Sequence, residues 1–379
     1  MTKVADICKF QSGGTPSKAN DSFYGGTIPW ITTVSLNGDY IDQKNAIEWI
    51  TDDAIKSSAA KIVPPNSIMI GTRVGIGKTA INRVAMSTSQ DVISLIGIDE
   101  STWNKKFLCL FFHSQRELLL SQARGATIKG IKIETLSNLV LPSYSIEKQN
   151  KIVNVLNNLQ SIINNRRHQL KKLDELVKAR FVEMFGDPIL NQKGFPVFRM
   201  DEVVDFQGGS QPDKKYFEYE PTDDNIRLIQ IRDYKSDKYI TYIPKSLAKR
   251  FCTADDIMIG RYGPPIFQIL QGIEGSFNVA LMKATPKMGN KEFIRYFLKQ
   301  DCLLHYLEGL SKRTAGQDGI QMDKLKEYPF PMPPIETQEA FASLVKQIDK
   351  SKFTVQSIIE IIREIKSFIN IGKLSTGIA

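Results

Sequence analysis

The stretch Ile68-Met69-Ile70-Gly71 recurs as Ile257-Met258-Ile259-Gly260, 189 positions further along the chain. One such match is common by chance, but a collinear series at a nearly fixed offset is not. Gly130-Ile131-Lys132-Ile133 faces Gly319-Ile320-Gln321-Met322, Leu136 faces Leu325 and Pro142 faces Pro331. Ile146-Glu147-Lys148-Gln149 faces Ile335-Glu336-Thr337-Gln338, again at 189. Nearer the N-terminus, Phe10-Gln11-Ser12-Gly13-Gly14-Thr15-Pro16-Ser17-Lys18 aligns with Phe206-Gln207-Gly208-Gly209-Ser210-Gln211-Pro212-Asp213-Lys214 at 196. Ile28-Pro29-Trp30-Ile31 then faces Ile226-Arg227-Leu228-Ile229. The chain is written twice.

Each copy has two parts. The first mixes short apolar runs with turn signals such as Gly13-Gly14, Gly25-Gly26 and Asn37-Gly38, and reads as a mixed α/β module. Phe107 to Gln122 reads as a helix, and Trp30 and Tyr24 as core residues. The second part is a long helix without Gly or Pro in its body. Its apolar seam falls at Ile152, Leu156, Leu159, Ile163, Arg166, Leu170, Leu173, Val177, Arg180 and Met184, alternating steps of four and three. The second copy reads Phe341, Val345, Ile348, Lys352, Val355, Ile359, Ile362, Lys366 and Ile369. Cations interrupt each seam where the other copy is apolar, so facing seams need not stack like charges. The predicted domains are 1–144, a module; 145–188, a helix; 189–334, the second module; and 335–379, the second helix and tail. The 30 residues from Ile152 to Phe181 would span roughly 45 Å as a helix. Modules at opposite ends of such a pair would sit about one DNA turn apart or slightly more, the geometry of dimeric DNA readers.

Composition narrows the function. The 379 residues are 42% hydrophobic and 24% charged, ordinary for a globular protein, with a net charge of +9. That charge is spread as +3, +3, +2 and +1 over the four segments, which suits modest phosphate anchoring rather than a basic arm. Cys8, Cys109, Cys252 and Cys302 form no C-x-x-C pair and read as reduced core thiols. No signal peptide or membrane helix is visible, so a cytoplasmic location is expected.

Two stretches imitate catalytic motifs. Gly71-Thr72-Arg73-Val74-Gly75-Ile76-Gly77-Lys78-Thr79 resembles a phosphate loop, but its first glycine stands one residue too early. The second copy, Gly260-Arg261-Tyr262-Gly263-Pro264-Pro265, lacks the Lys-Thr. Pro212-Asp213 with Asp233-Tyr234-Lys235 imitates a nuclease pattern that the first copy does not share. His113, His168 and His305 offer no nucleophile–base pair. An enzyme using one of these motifs and a coiled-coil adaptor without DNA binding are the competing readings.

Four ordered stretches together resemble the specificity (S) subunit of type I restriction–modification systems. They are Gln11 to Lys18 followed by Tyr24-Gly25-Gly26-Thr27-Ile28-Pro29-Trp30; Gly71 to Ala80; Gly125-Ala126-Thr127-Ile128-Lys129-Gly130-Ile131 leading to Leu141-Pro142 and Glu147-Lys148-Gln149; and Arg180-Phe181-Val182-Glu183-Met184-Phe185-Gly186-Asp187-Pro188. The second copy departs from the pattern at Ser210-Gln211 and Gly316-Gln317-Asp318.

The resemblance implies an α+β chain: two mixed α/β target-recognition domains separated by two long helices, packed as an antiparallel coiled coil in an internal pseudo-two-fold repeat. It implies a non-catalytic reader of a bipartite, asymmetric site on double-stranded DNA. Its partners would be methyltransferase (M) subunits, two of them, acting on adenine N6, with restriction (R) subunits as further candidates. S-adenosylmethionine, ATP and Mg would belong to those partners, with no cofactor, metal or catalytic residue on this chain.

For the helix pair, the apolar contacts expected are Ile152, Leu156, Leu159, Ile163, Leu170, Leu173, Val177, Phe341, Val345, Ile348, Val355, Ile359, Ile362 and Ile369. For DNA, the candidates are Thr15, Lys18, Arg73, Lys78, Arg83, Thr127 and Lys129 in the first module. In the second they are Lys214, Arg261, Tyr262, Lys312, Arg313 and Gln317. Arg and Gln suit base edges, whereas Lys and Thr suit phosphates.

Overall fold

The computed structural model describes residues 2–125, 130–262, 266–311 and 319–369. The chain divides into two compact units, residues 1–167 with 357–379, and residues 168–356. Each therefore holds one module together with part of both long helices, Ile146–Phe185 and Ile335–Phe368.

In the first unit, five strands run in the order Lys9–Ser12, Val92–Ile96, Ile68–Gly71, Thr79–Asn82 and Tyr40–Ile41. Ile68 and Ile70 point to one face, where they pack with Phe107, Phe111 and Phe112 of the helix Lys105–Ser114. Met69 points to the other and packs with Ile31, Ile41 and Met86. Burial on both faces explains why this strand reads as an unbroken apolar run rather than an alternating one. A second sheet pairs Glu48–Ile50, Tyr24–Ile31, Met86–Thr88 and Ile62–Val63.

The second unit repeats this plan. One sheet orders Val204–Gly208, Leu281–Pro286, Ile257–Gly260 and Gln268–Gln271; the other orders Tyr242–Pro244, Asn225–Ile229, Gly275–Phe277 and Phe251–Cys252. Ile257 and Ile259 again face one cluster and Met258 another. Thr79–Asn82 and Gln268–Gln271, Met86–Thr88 and Gly275–Phe277, and Ile62–Val63 and Phe251–Cys252 all correspond at the offset of 189.

The expected helix over 107–122 is instead two, Lys105–Ser114 and Arg116–Ser121. Gln115 leaves helical geometry (φ −85°, ψ 2°) between them, and its N–H closes the first helix on Phe111 and His113 carbonyls. Trp30 is buried, with its indole N–H on the Gly14 carbonyl, and half-buried Tyr24 donates its hydroxyl to the Pro16 carbonyl.

The long helices run antiparallel. In the first unit Lys366 Nζ donates to Gln160 Oε1 at 2.6 Å; in the second, Lys352 Nζ meets Asp174 Oδ1 at 2.6 Å. Within the second unit one helix steps back from Lys352 to Phe341 while the other advances from Asp174 to Phe181. Leu156, Ile163, Val177, Phe341, Val345, Ile348, Val355, Ile359 and Ile362 are buried, and Ile152, Leu159, Leu170, Leu173 and Ile369 are half-buried. Arg180 does not lie on the seam. It is exposed and pairs with Glu183 at 2.6 Å, while Phe181 is fully buried against Phe341. A helix of 3.6 residues per turn drifts from a strict 3.5 repeat, which brings 181 rather than 180 inward.

A buried glutamine roots each helix in its module. Gln149 donates to the Thr102 and Tyr144 carbonyls and accepts from the Asn104 N–H at 2.9 Å. Gln338 donates to the Pro333 carbonyl at 2.7 Å and accepts from the Asn290 N–H at 2.7 Å. Asn104 and Asn290 are the N-caps of the helices that cover the sheets.

Candidate nucleic-acid interface

Equivalent backbone hydrogen bonds tie several loops together at one end of each module. In the first, the N–H groups of Gly13, Gly14, Thr72 and Ser89 donate to the carbonyls of Val92, Thr88, Asp91 and Ile31. In the second, those of Gly209, Ser210, Arg261 and Asn278 donate to Leu281, Phe277, Ala280 and Ile229, the same positions of the repeat. The strands end here in buried apolar runs, and their terminal groups are satisfied by neighbouring loops, leaving side chains to point outward.

Those side chains differ. In the first module the patch holds Thr15, whose Oγ1 accepts from the Gln90 N–H at 3.5 Å, with exposed Gln90 and an Arg73–Asp91 pair at 3.6 Å. Thr33 packs on Gly71, and Val34 beside it is 75% exposed. In the second, Gln211 meets Asn278 at 3.4 Å, and Arg261 donates to the Val279 carbonyl at 3.5 Å. The Arg261 guanidinium lies 5.4 Å from the Tyr262 ring centroid, and the Val279 and Tyr262 side chains are exposed. Arg73 thus corresponds to Tyr262, Gln90 to Val279, Thr72 to Arg261 and Thr15 to Gln211.

The phosphate-loop imitation is a hairpin loop. Thr79, where a nucleotide-binding helix would begin, opens the strand Thr79–Asn82, antiparallel to Ile68–Gly71. Gly75 and Gly77 take positive φ of 70° and 78°, and the Lys78 stem lies against Gly75. Asp233 of the nuclease imitation is spent internally. Its carboxylate accepts the Gln230 N–H at 3.2 Å and sits 3.6 Å from Arg227, and burial raises it above the usual carboxylate range. Asp213 is exposed and pairs with Lys215 at 3.8 Å. Among the described residues no group of three or more His, Cys, Asp or Glu could hold a metal ion. Nor is any helix among them long and apolar enough to cross a membrane.

Of the residues nominated from sequence, Thr15 and Arg73 meet at this patch in the first module, with Lys78 on the same hairpin loop, and Arg261 and Tyr262 in the second. Lys18 is exposed and pairs with Glu48 at 3.0 Å. Arg83 follows the far end of Thr79–Asn82, about 15 Å of extended chain from Lys78, and stacks on Tyr40 at 5.0 Å. Lys214 is exposed at the start of a short turn, Lys214–Tyr216. Thr127, Lys129, Lys312, Arg313 and Gln317 lie outside the described residues. Sequence reasoning missed Gln90, Asp91, Asn278 and Val279. Their one signal was divergence immediately before the aligned strands that begin at Val92 and Leu281.

Comparison with known proteins agrees with this architecture. The family described as the type I restriction modification DNA specificity domain matches twice, over residues 1–174 and 192–366. The MjaIX type I restriction enzyme specificity subunit of Methanocaldococcus jannaschii is 29% identical over 58% of this chain and 55% of its own length. The EcoR124I/EcoR124II specificity subunit of Escherichia coli is 26% identical over 47% of this chain and 45% of its own. The chain thus spans about half the length of these two relatives. The MjaVIII specificity subunit of M. jannaschii, 23% identical, aligns over 98% of this chain and 89% of its own. Among solved structures, a type I restriction–modification S subunit from M. genitalium covers 100% of this chain and 96% of its own, at 15% identity and TM-score 0.53. A chain from a study of assembly and conformational transition in the type I system reaches TM-score 0.65 at 16% identity, covering 97% and 95%. The chain belongs to the type I restriction–modification DNA specificity family and carries its domain twice.

Proposed function

We propose that this chain reads a bipartite, asymmetric DNA site, one half with each module, and that the paired helices set the gap between the halves. The observation that carries the reading is the matched loop scaffold with divergent side chains: one framework, two chemistries. A symmetric reader would repeat the side chains as well as the backbone.

Each long helix begins in one unit and ends in the other without a break, which suits a spacer of fixed length. The exposed outer faces of these helices are where two methyltransferase subunits would dock, with R subunits joining the assembly. Methyl transfer to adenine N6, and any ATP-dependent cleavage, fall to those partners, which bring S-adenosylmethionine, ATP and Mg. Nothing in the two imitation motifs has the geometry for either reaction, since one is a hairpin and the other a buried turn.

Methylome sequencing of a host with and without this chain tests the reading. The expected result is one bipartite motif, with different halves, that disappears with the chain. Shortening both long helices by one turn, ~5.4 Å, should shorten the spacer and leave both half-sites intact. A single palindromic motif, or a spacer indifferent to the deletion, overturns it.

A further inference from the structure

The structure singles out one pair of equivalent positions. Arg73 is held from two sides. Its stem lies over Gly130, where an added Cβ would stand 2.9 Å from Arg73 Cγ, and its head lies 3.6 Å from Asp91 Oδ1. Almost half of the side chain nevertheless remains exposed, at 48%. The Thr72 carbonyl beside it accepts the Ile131 N–H at 2.8 Å, fixing the backbone on which Arg73 stands. In the second module Tyr262 takes this place. Its ring rests on Gly319, the equivalent of Gly130, with an added Cβ 3.2 Å from Cε1, and Ala280 replaces Asp91.

We infer that Arg73 reads a guanine edge in the first half-site, with Asp91 and Gly130 as its positioning residues, and that Tyr262 at the same place denies the second module that preference. This deepens the DNA-reading proposal and rests on it. A guanidinium fork presents parallel N–H donors that match guanine O6 and N7 together. A carboxylate alongside repels phosphate, so Arg73 is poorly placed as a backbone anchor. Toward a neutral base edge the same carboxylate holds the fork still, reducing the ordering that binding would otherwise require. Lys78, on the same hairpin loop and without an ion-pair partner among the described residues, suits the phosphate role. A tyrosine ring has no bidentate fork.

The test selects bound duplexes from a random DNA pool with the full chain and its methyltransferase partner. Arg73→Ala should erase preference for one G·C pair in the first half-site, about 5- to 150-fold in relative binding, and leave the second half-site unchanged. Arg73→Lys keeps the charge and the stem, so it should bind DNA yet lose the same preference. Asp91→Ala should relax that position alone and steepen the salt dependence, because the freed Arg73 turns to phosphate. Tyr262→Ala should alter only the second half-site. An unchanged consensus in both Arg73 variants, or even weakening across all positions, overturns the inference while leaving bipartite reading intact. A wild-type chain that selects no consensus overturns both.

Discussion

The two modules share a skeleton and differ at the surface it presents. Gly13 and Gly209 make the same backbone bond to strands beginning at Val92 and Leu281, yet the next loops carry Gln90 in one module and Val279 in the other. Bonds between backbone groups do not depend on side-chain identity, so they persist where the exposed residues change. The difference teaches where function can diverge without touching stability. Positions 34, 73 and 90 and their partners are free to change because the loops beneath them are closed by backbone atoms.

The sharpest way to break this comparison is to attack the shared skeleton. A Cβ on Gly13 would lie 2.1 Å from the Ser89 carbonyl oxygen, and one on Gly209 lies 2.0 Å from that of Asn278. No real contact is so short, and the obstacle is backbone. Gly13→Ala and Gly209→Ala should each cost about 3 kcal/mol or more, equally in the two modules. Hydrogen exchange should show the loss confined to the mutated module. The neighbouring position sharpens the point. Gly14 would meet the Ala59 carbonyl at 2.1 Å, whereas the second module carries Ser210 there. Gly14→Ser should therefore destabilise, and Ser210→Gly should be mild.

A smaller effect is expected at the helix roots. Gln149 and Gln338 are buried and bridge equivalent elements, so Gln149→Ala strands the Asn104 N–H with the Thr102 and Tyr144 carbonyls, and Gln338→Ala the Asn290 N–H with the Pro333 carbonyl. A loss of about 2 kcal/mol is expected for each, read from denaturant unfolding of the full chain. Markedly unequal losses would show that the two roots are not equivalent.

Much of this was legible in the sequence because it is periodic or repeated. The duplication follows from a constant offset, and the helix seam from the four–three spacing. What was not legible is assembled from segments far apart in the chain. Asp91 beside Arg73 and Asn278 beside Gln211 belong to no motif, and only the sheet order brings them together. Arg83 shows the opposite error. It is near Lys78 in number but follows the far end of an extended strand. Arg180 went astray because a heptad count ignores the drift of a helix that is not wound to 3.5 residues per turn.

The smallest effect distinguishes the cations within the two seams. Lys352 has two carboxylates, Asp174 at 2.6 Å and Asp349 at 3.5 Å, both mostly exposed. Lys366 has an uncharged partner, Gln160, and burial lowers its affinity for a proton. A paired cation at a wet edge contributes up to about 1 kcal/mol, so Lys352→Met should destabilise by no more than that. At Lys366 the sign reverses. Among the described residues nothing of opposite charge repays its desolvation there, and a methionine stem covers the same apolar surface. Lys366→Met should be neutral or stabilising, by up to about 1 kcal/mol, and the gain should grow as pH falls. The lysine's folded pKa is depressed, so its penalty is complete only where the folded state binds the proton and fades as pH rises through that lowered pKa. Equal and opposite shifts in unfolding midpoint would locate the asymmetry of the helix pair in these two residues; a destabilised Lys366→Met would show that the Gln160 bond outweighs desolvation.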